Sequence, residues 1–157
     1  MSVESPRLSE IHDAIVGVVA QTHRTVDLAG GVRVRKGMYL APPELPFACV
    51  AQPEVLVEPG RARNQIWEHT ARYRVRCWAT VVEDDLDARV DRVTAIAEEL
   101  VAAIEDATVD RDNFLYCVDS VRVAAQIDPV VDSLPAACAS AELLVDVRYR
   151  RVVGTGA

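Results

Sequence analysis

Residues 67–81 read Trp67-Glu-His-Thr-Ala-Arg-Tyr-Arg-Val-Arg-Cys-Trp-Ala-Thr-Val81 and carry the clearest periodic signal in the chain. The odd positions are Trp67, His69, Ala71, Tyr73, Val75, Cys77, Ala79 and Val81, while the even ones include Glu68, Thr70, Arg72, Arg74, Arg76 and Thr80. A period of two sustained over that length predicts a long antiparallel strand with one face buried and the other wet. The end of the chain repeats the pattern: Ala139, Ala141, Leu143, Val145, Val147 and Tyr149 alternate with Ser140, Glu142, Asp146, Arg148 and Arg150. If the two strands are neighbours, Glu142 and Asp146 oppose Arg72, Arg74 or Arg76. Each such pair contributes about 0.2–1 kcal/mol, which tunes register more than it drives folding.

Working outward, Ser5-Pro6 is a good helix opening, and Leu8, Ile11, Ile15, Val18 and Val19 form one apolar stripe over residues 6 to about 21. Residues 22–46 break every pattern with Gly30-Gly31, Gly37, Pro42-Pro43 and Pro46. A connection that long is either a functional arm or hides a short strand, and Val32 to Gly37 alternates like one. Phe47 to Val57 reads as extended and divided at Pro53, and residues 58–64 as a turn or hairpin tip. The acidic run at 83–87 suits a helix start. A helix from about Leu86 to Glu105 follows, with Leu86, Val90, Val93, Ala97, Leu100, Val101 and Ile104 on one face. Residues 106–113 read as an acidic loop and Leu115 to Asp128 as another alternating strand, with a second connection at 129–135. Residues 151–157 read as a flexible tail.

This order predicts an α+β domain spanning 1–157: an antiparallel sheet of about four to five strands covered on one face by two α-helices. At 157 residues the chain is expected to bury about 68–70% of its unfolded surface, enough to fold without disulfides or metals. Its 24 acids against 17 cations argue against a general nucleic-acid or anionic-membrane binder, which needs a surplus of Lys and Arg. No run approaches the ~20 apolar residues that span a bilayer, so cytosolic synthesis and folding are expected. Only Lys36 among the cations is lysine. Cys49, Cys77, Cys117 and Cys138 lie in separate apolar runs without a C-x-x-C pair, which reads as free thiols acting as small core hydrophobes.

No reactive constellation emerges. His12, His23 and His69 share no metal-ligand spacing; His69, on the apolar parity of its strand, reads as a satisfied half-buried histidine, and His12 falls at the edge of its helix stripe. The acidic runs at 83–87 and 110–113 lack the glycine and glutamate of a calcium loop. There is no Gly-x-Ser-x-Gly elbow, and Gly30-Gly31 lacks the rest of a phosphate loop. Arg72, Arg74 and Arg76 form a ridge read as solvated or salt-bridged. No catalytic residue, cofactor or metal is expected, which shifts weight toward an interaction or structural role. The candidate contact residues are Arg33, Arg35 and Lys36, in a 22–46 segment with four cations and two acids, together with Arg61 and Arg63 at the hairpin tip.

The layout resembles that of the tail terminator, or tail completion, proteins of long-tailed bacteriophages and related tail-like particles. The features that carry it are a short N-terminal helix, a Pro-bounded linker, Leu45-Pro-Phe-Ala-Cys-Val-Ala51, a turn at Pro59-Gly60, the strand ending Thr80-Val-Val-Glu83, and the helix Asp91-Arg-Val-Thr-Ala-Ile-Ala-Glu-Glu-Leu-Val-Ala-Ala-Ile104. The resemblance runs from about residue 6 to residue 150 and rests on element order and size without an invariant motif. It implies a non-enzymatic virion protein at the head-proximal end of the tail, assembled in the host cytoplasm. Its partners would be itself in a homohexameric ring, the major tail tube protein and a head-completion or stopper protein, with DNA passing through unread and no membrane contact. An acidic protomer suits that passage. The alternatives are another head-tail connector or neck protein, and a ferredoxin-like small-molecule-binding domain or enzyme.

Overall fold

The computed structural model describes residues 7–25, 33–43, 47–58, 66–80, 86–128 and 138–152. In chain order the elements are α1 (Leu8–Thr25), β1 (Arg33–Lys36), β2 (Phe47–Val50), β3 (Glu54–Glu58), β4 (Ile66–Thr80), α2 (Leu86–Val109), a 3-10 turn (Phe114–Cys117), β5 (Ser120–Asp128) and β6 (Cys138–Val152). The fold is α+β, as the alternation predicts, with two helices packed on one face of a mostly antiparallel sheet. The sheet has six strands where four to five are expected.

The long strand is the axis of the sheet. Each of the fifteen residues of β4 faces one of β6, from Ile66↔Val152 to Thr80↔Cys138. Strand β5 extends the sheet beyond β6, with Ser120↔Arg148 through Asp128↔Ser140. On the other side of β4, Pro53 divides one extended run into two strands: β2 pairs with Val75–Trp78 and β3 with Glu68–Arg72. Strand β1 is the extra one. The 22–46 segment does hide a strand, and it lies parallel to β2, with Arg33↔Phe47 through Lys36↔Val50. Gly37 ends it at φ +120°, a conformation that side-chain-bearing residues avoid, and donates its N–H to the Val50 carbonyl at 2.9 Å.

The odd-numbered parity builds the core. Ala71, Tyr73, Val75 and Cys77 of β4 lie beside Ala141, Leu143, Val145, Val147 and Tyr149 of β6. Above them pack Ile11, Ile15, Val18 and Val19 of α1 and Ile96, Ala97, Leu100, Ile104 and Ala107 of α2. Helix α2 runs to Val109 rather than ending near Glu105, because Ala107 continues the buried stripe and belongs to the core. The strand expected from Leu115 begins instead at Ser120. Asn113 caps a 3-10 turn, its Oδ1 accepting from the Leu115 N–H at 2.9 Å, and the turn buries Leu115 under the helices.

A second, smaller cluster sits on the opposite face of the sheet. Phe47, Cys49 and Trp78 are buried there with Tyr39 packed on them. Tyr39 meets Phe47 edge-on, with centroids 4.9 Å apart, and Phe47 lies 5.8 Å from Trp78. Strand β2 is therefore buried on both sides, and among the described side chains on the wet parity of β4 Trp78 is the apolar one that finds cover.

The expected helix opening at Ser5-Pro6, residues 59–64 of the hairpin tip, residues 83–85 of the acidic run, the connection at 129–135 and residues 153–157 of the tail lie outside the described residues. Arg151 and Val152, expected in the tail, continue β6, and Glu58, expected in the tip, closes β3. Truncating Trp78 leaves a large void between Phe47 and Cys49. Trp78→Ala should cost about 3–5 kcal/mol in chemical denaturation, against about 0.5 kcal/mol or less for Leu56→Ala on the exposed β3.

Candidate functional site

Even parity sends the charged side chains of β4 and β6 to the sheet face opposite the helices, where an ordered set of ion pairs forms. Arg72 faces Asp146 in the register and binds it through two parallel bonds, Nε to Oδ1 at 2.8 Å and Nη2 to Oδ2 at 3.1 Å. Glu142 takes Arg76 at 2.7 Å and Arg74 at 3.8 Å. Arg148 pairs with Glu68, and Arg150 with Asp119 at 3.1 Å. The Asp146 carboxylate holds the Arg72 guanidinium further up from its ordinary value, chiefly by accepting its hydrogen bond. These side chains remain partly exposed, so solvent screens each pair and its contribution to stability is small. Their larger effect is to neutralise the arginine ridge. It is a salt-bridged sheet face, and every one of those five guanidiniums has a carboxylate within 4 Å.

The sequence-derived contact residues fare differently. Arg33 pairs through its backbone with Phe47, and Arg35 lies exposed one step further along β1. Lys36 is engaged: its ammonium pairs with Asp13 of α1, tying that helix to the edge of the sheet. Arg61 and Arg63 lie outside the described residues. Arg35 and Lys36 are neighbours on one short edge strand but project to opposite faces of the sheet, Arg35 in register with Cys49 and Arg76 on the wet side and Lys36 toward α1, where Asp13 already answers its charge.

Two histidines are structural. His12 is 7% exposed, and its Nε2 donates to the Val50 carbonyl at 2.9 Å, the same oxygen that accepts from Gly37. One carbonyl thus joins α1, β2 and the segment after β1. The His12 ring also lies 5.3 Å from that of Tyr73, whose hydroxyl donates to the Leu8 carbonyl at 2.9 Å. His12 sits at the stripe's edge in the sequence, with nothing to mark a bond to a strand thirty-eight residues away. His69 is buried beside Tyr149, with ring centroids 5.2 Å apart and Nδ1 3.4 Å from the hydroxyl. Burial pushes its pKa below the ordinary 6.5, and Arg151 adds to the effect.

Among the thiols, Cys77 is buried in the core at 3.7 Å from the Ala141 carbonyl, and burial pushes its pKa up to about 12. Cys49 is buried in the aromatic cluster and also raised by burial. Neither is a nucleophile at neutral pH. Cys117 corrects the expectation of buried thiols, because the 3-10 turn exposes it. The side chain of Cys138 lies outside the described residues.

Two hollows are lined by described residues. One, about 490 Å³ and shallow, lies between α1 and α2 and is lined by Val18, Gln21, Glu99, Ala103, Asp106 and Asp110. Its acids repel anions, and among the described residues no group of His, Cys, Asp and Glu is placed to hold a metal ion. The other, about 220 Å³, lies against β3 on the open face between Leu56, Thr70, Arg72 and Asp146. Beside it, Val55, Leu56 and Val57 are exposed, Leu56 to 63%. Among the described residues no helix is long and apolar enough to cross a membrane.

His12→Phe keeps the ring against Tyr73 and loses one of the two bonds to the Val50 oxygen. A cost of about 0.5–1.5 kcal/mol in urea unfolding is expected. For His69 the folded pKa is the lower one, so the unfolded chain binds the extra proton first. Stability is therefore lost as pH falls from about 6.5 toward the folded value. Urea melts at pH 7.5 and pH 5 should show a smaller acid loss for His69→Phe than for the parent.

Compared with known proteins, the sequence matches no family model and no curated protein.

Proposed function

We propose that this chain is a tail terminator: a non-enzymatic protein that associates with copies of itself at the head-proximal end of a tail tube. There it stops tube polymerisation and offers the finished end to a head-completion protein. The observation that supports the reading most is the even-parity sheet face, on which, among the described residues, Arg72, Arg74, Arg76, Arg148 and Arg150 each lie within 4 Å of one of four carboxylates and Arg122 alone of the arginines on β4, β5 and β6 there has no such pair. A ring that lets DNA slide past must not capture it. Each phosphate neutralised by a free Arg or Lys releases counterions and tightens binding, whereas a guanidinium already paired adds little. The order of elements agrees with the resemblance noted in the sequence, and the net charge of −7 acts in the same direction.

Arg35, exposed on β1, is proposed to orient the protomer against an acidic neighbour, where rim charges set approach and register more than affinity. A cyclic assembly uses heterologous contacts, so one tip needs one complementary patch on the next copy.

Mass photometry of the purified chain, alone and with the tube protein of its own particle, tests the reading. A discrete oligomer that associates with tube ends is expected. Electron micrographs of particles made without this protein should show tails of uncontrolled length, and tails of normal length would overturn the proposal.

A further inference from the structure

The two long margins of the sheet fit each other. On one side β3 pairs only with β4, and all five of its residues, Glu54-Val-Leu-Val-Glu58, are exposed. On the other side β5 pairs only with β6, and Arg122, Ala124, Ala125 and Gln126 are exposed. Among the described residues nothing else pairs with either outer edge. Strand β1 shields β2 but ends short of β3. An unpaired row of N–H and C=O groups with apolar side chains is a template for another strand.

Resting on the reading that the chain assembles with its own copies, we propose that β5 of one copy adds to β3 of the next as an antiparallel pair, joining sheets edge to edge. Polarity allows it. In the order β3-β4-β6-β5 each strand is antiparallel to its neighbour, so β5 and β3 run in opposite directions. A second copy placed alongside in the same orientation therefore continues the alternation and keeps its helices on the same side. Parity then selects the register, because opposed residues in an antiparallel pair share a face. Val55 and Val57 lie on the helix side, as do Val121, Val123 and Ala125. Setting Val57 opposite Val123 places Val55 opposite Ala125, Leu56 opposite Ala124, Glu54 opposite Gln126 and Glu58 opposite Arg122.

This register matches charge as well as shape. Arg122 has no ion-pair partner among the described residues although Asp146 faces it across the strand, because Arg72 occupies that carboxylate on both oxygens. Glu58 feels the charge of Arg148, whose ion pair is with Glu68, and makes no ion pair of its own among the described residues. Space is also provided. Helix α2 packs on β5 and β6 and α1 on β1 and β2, which leaves the valines of β3 bare where an incoming strand with its own helix layer would lie. The pairing is heterologous, so it propagates from copy to copy until rotation closes it.

The test uses the full chain carrying Cys117→Ser and Cys138→Ser, which leaves the buried Cys49 and Cys77 as its native thiols. Leu56→Cys is made in one preparation and Ala124→Cys in another. Opposed Cα atoms in an antiparallel pair lie about 4.5–5.5 Å apart, within disulfide reach. Mild oxidation should cross-link the mixture and neither preparation alone. Independently, Glu58→Arg or Arg122→Glu should raise the concentration needed for assembly at least about three-fold, and the double exchange should restore it. An oligomer that forms without the mixed cross-link and without that rescue overturns the edge pairing while leaving the tail-terminator reading in place. A chain that stays monomeric at every concentration and at tube ends overturns both.

Discussion

The ladder between β4 and β6 is the constraint on which the rest of the molecule depends. It runs unbroken over fifteen residue pairs, and its parity decides where every large side chain goes. A slip of β4 by one residue against β6 would send Tyr73 and Val75 to solvent and carry Arg72 and Arg74 beneath the helices. Burying those charges unpaired costs far more than any single contact gains, so the register has no near competitor. The ion pairs on the far face agree with it. Arg72 meets Asp146 and Arg76 meets Glu142 directly across the ladder, weak locks that add specificity to a position already selected by burial.

Placing both helices on the odd-parity side follows from that ladder, and so does the exposure of the other side. Only at the β2 corner does the chain return to cover it, with Tyr39, Phe47 and Trp78 building a small aromatic cluster. Elsewhere the even-parity face is polar, and most of its arginines are paired with carboxylates. The molecule thus has a thick, apolar interior on one side of its sheet and a wet surface on the other, and among the described residues no further strand pairs with the outer edges of β3 and β5.

Much of this was legible in the sequence because it is local. Alternation marked β4 and β6, three- and four-residue steps marked α1, and the arginine and carboxylate positions on the two strands anticipated their pairing. What escaped was non-local. Nothing in Arg33–Lys36 specifies parallel pairing with β2, which depends on Gly37 turning the chain and on α1 lying alongside. Trp78 reads as an exception to its strand until Tyr39 and Phe47 are brought beneath it. His12 reads as a helix-edge residue until the Val50 carbonyl arrives from another element. Leu115 has the spacing of a strand, yet Asn113 caps a turn that buries it elsewhere. Of the candidate contact residues, Lys36 was legible as a cation but not as one held by Asp13.

That last contact gives the molecule a built-in chemical reporter. Lys36 is its sole side-chain amine, and it lies at the seam where α1 meets the margin of the sheet. Acylation by an amine-selective reagent therefore addresses a single side chain. The rate of that reaction follows how often the ammonium leaves the Asp13 carboxylate, so it reads the docking of the first helix without a label being engineered into the chain.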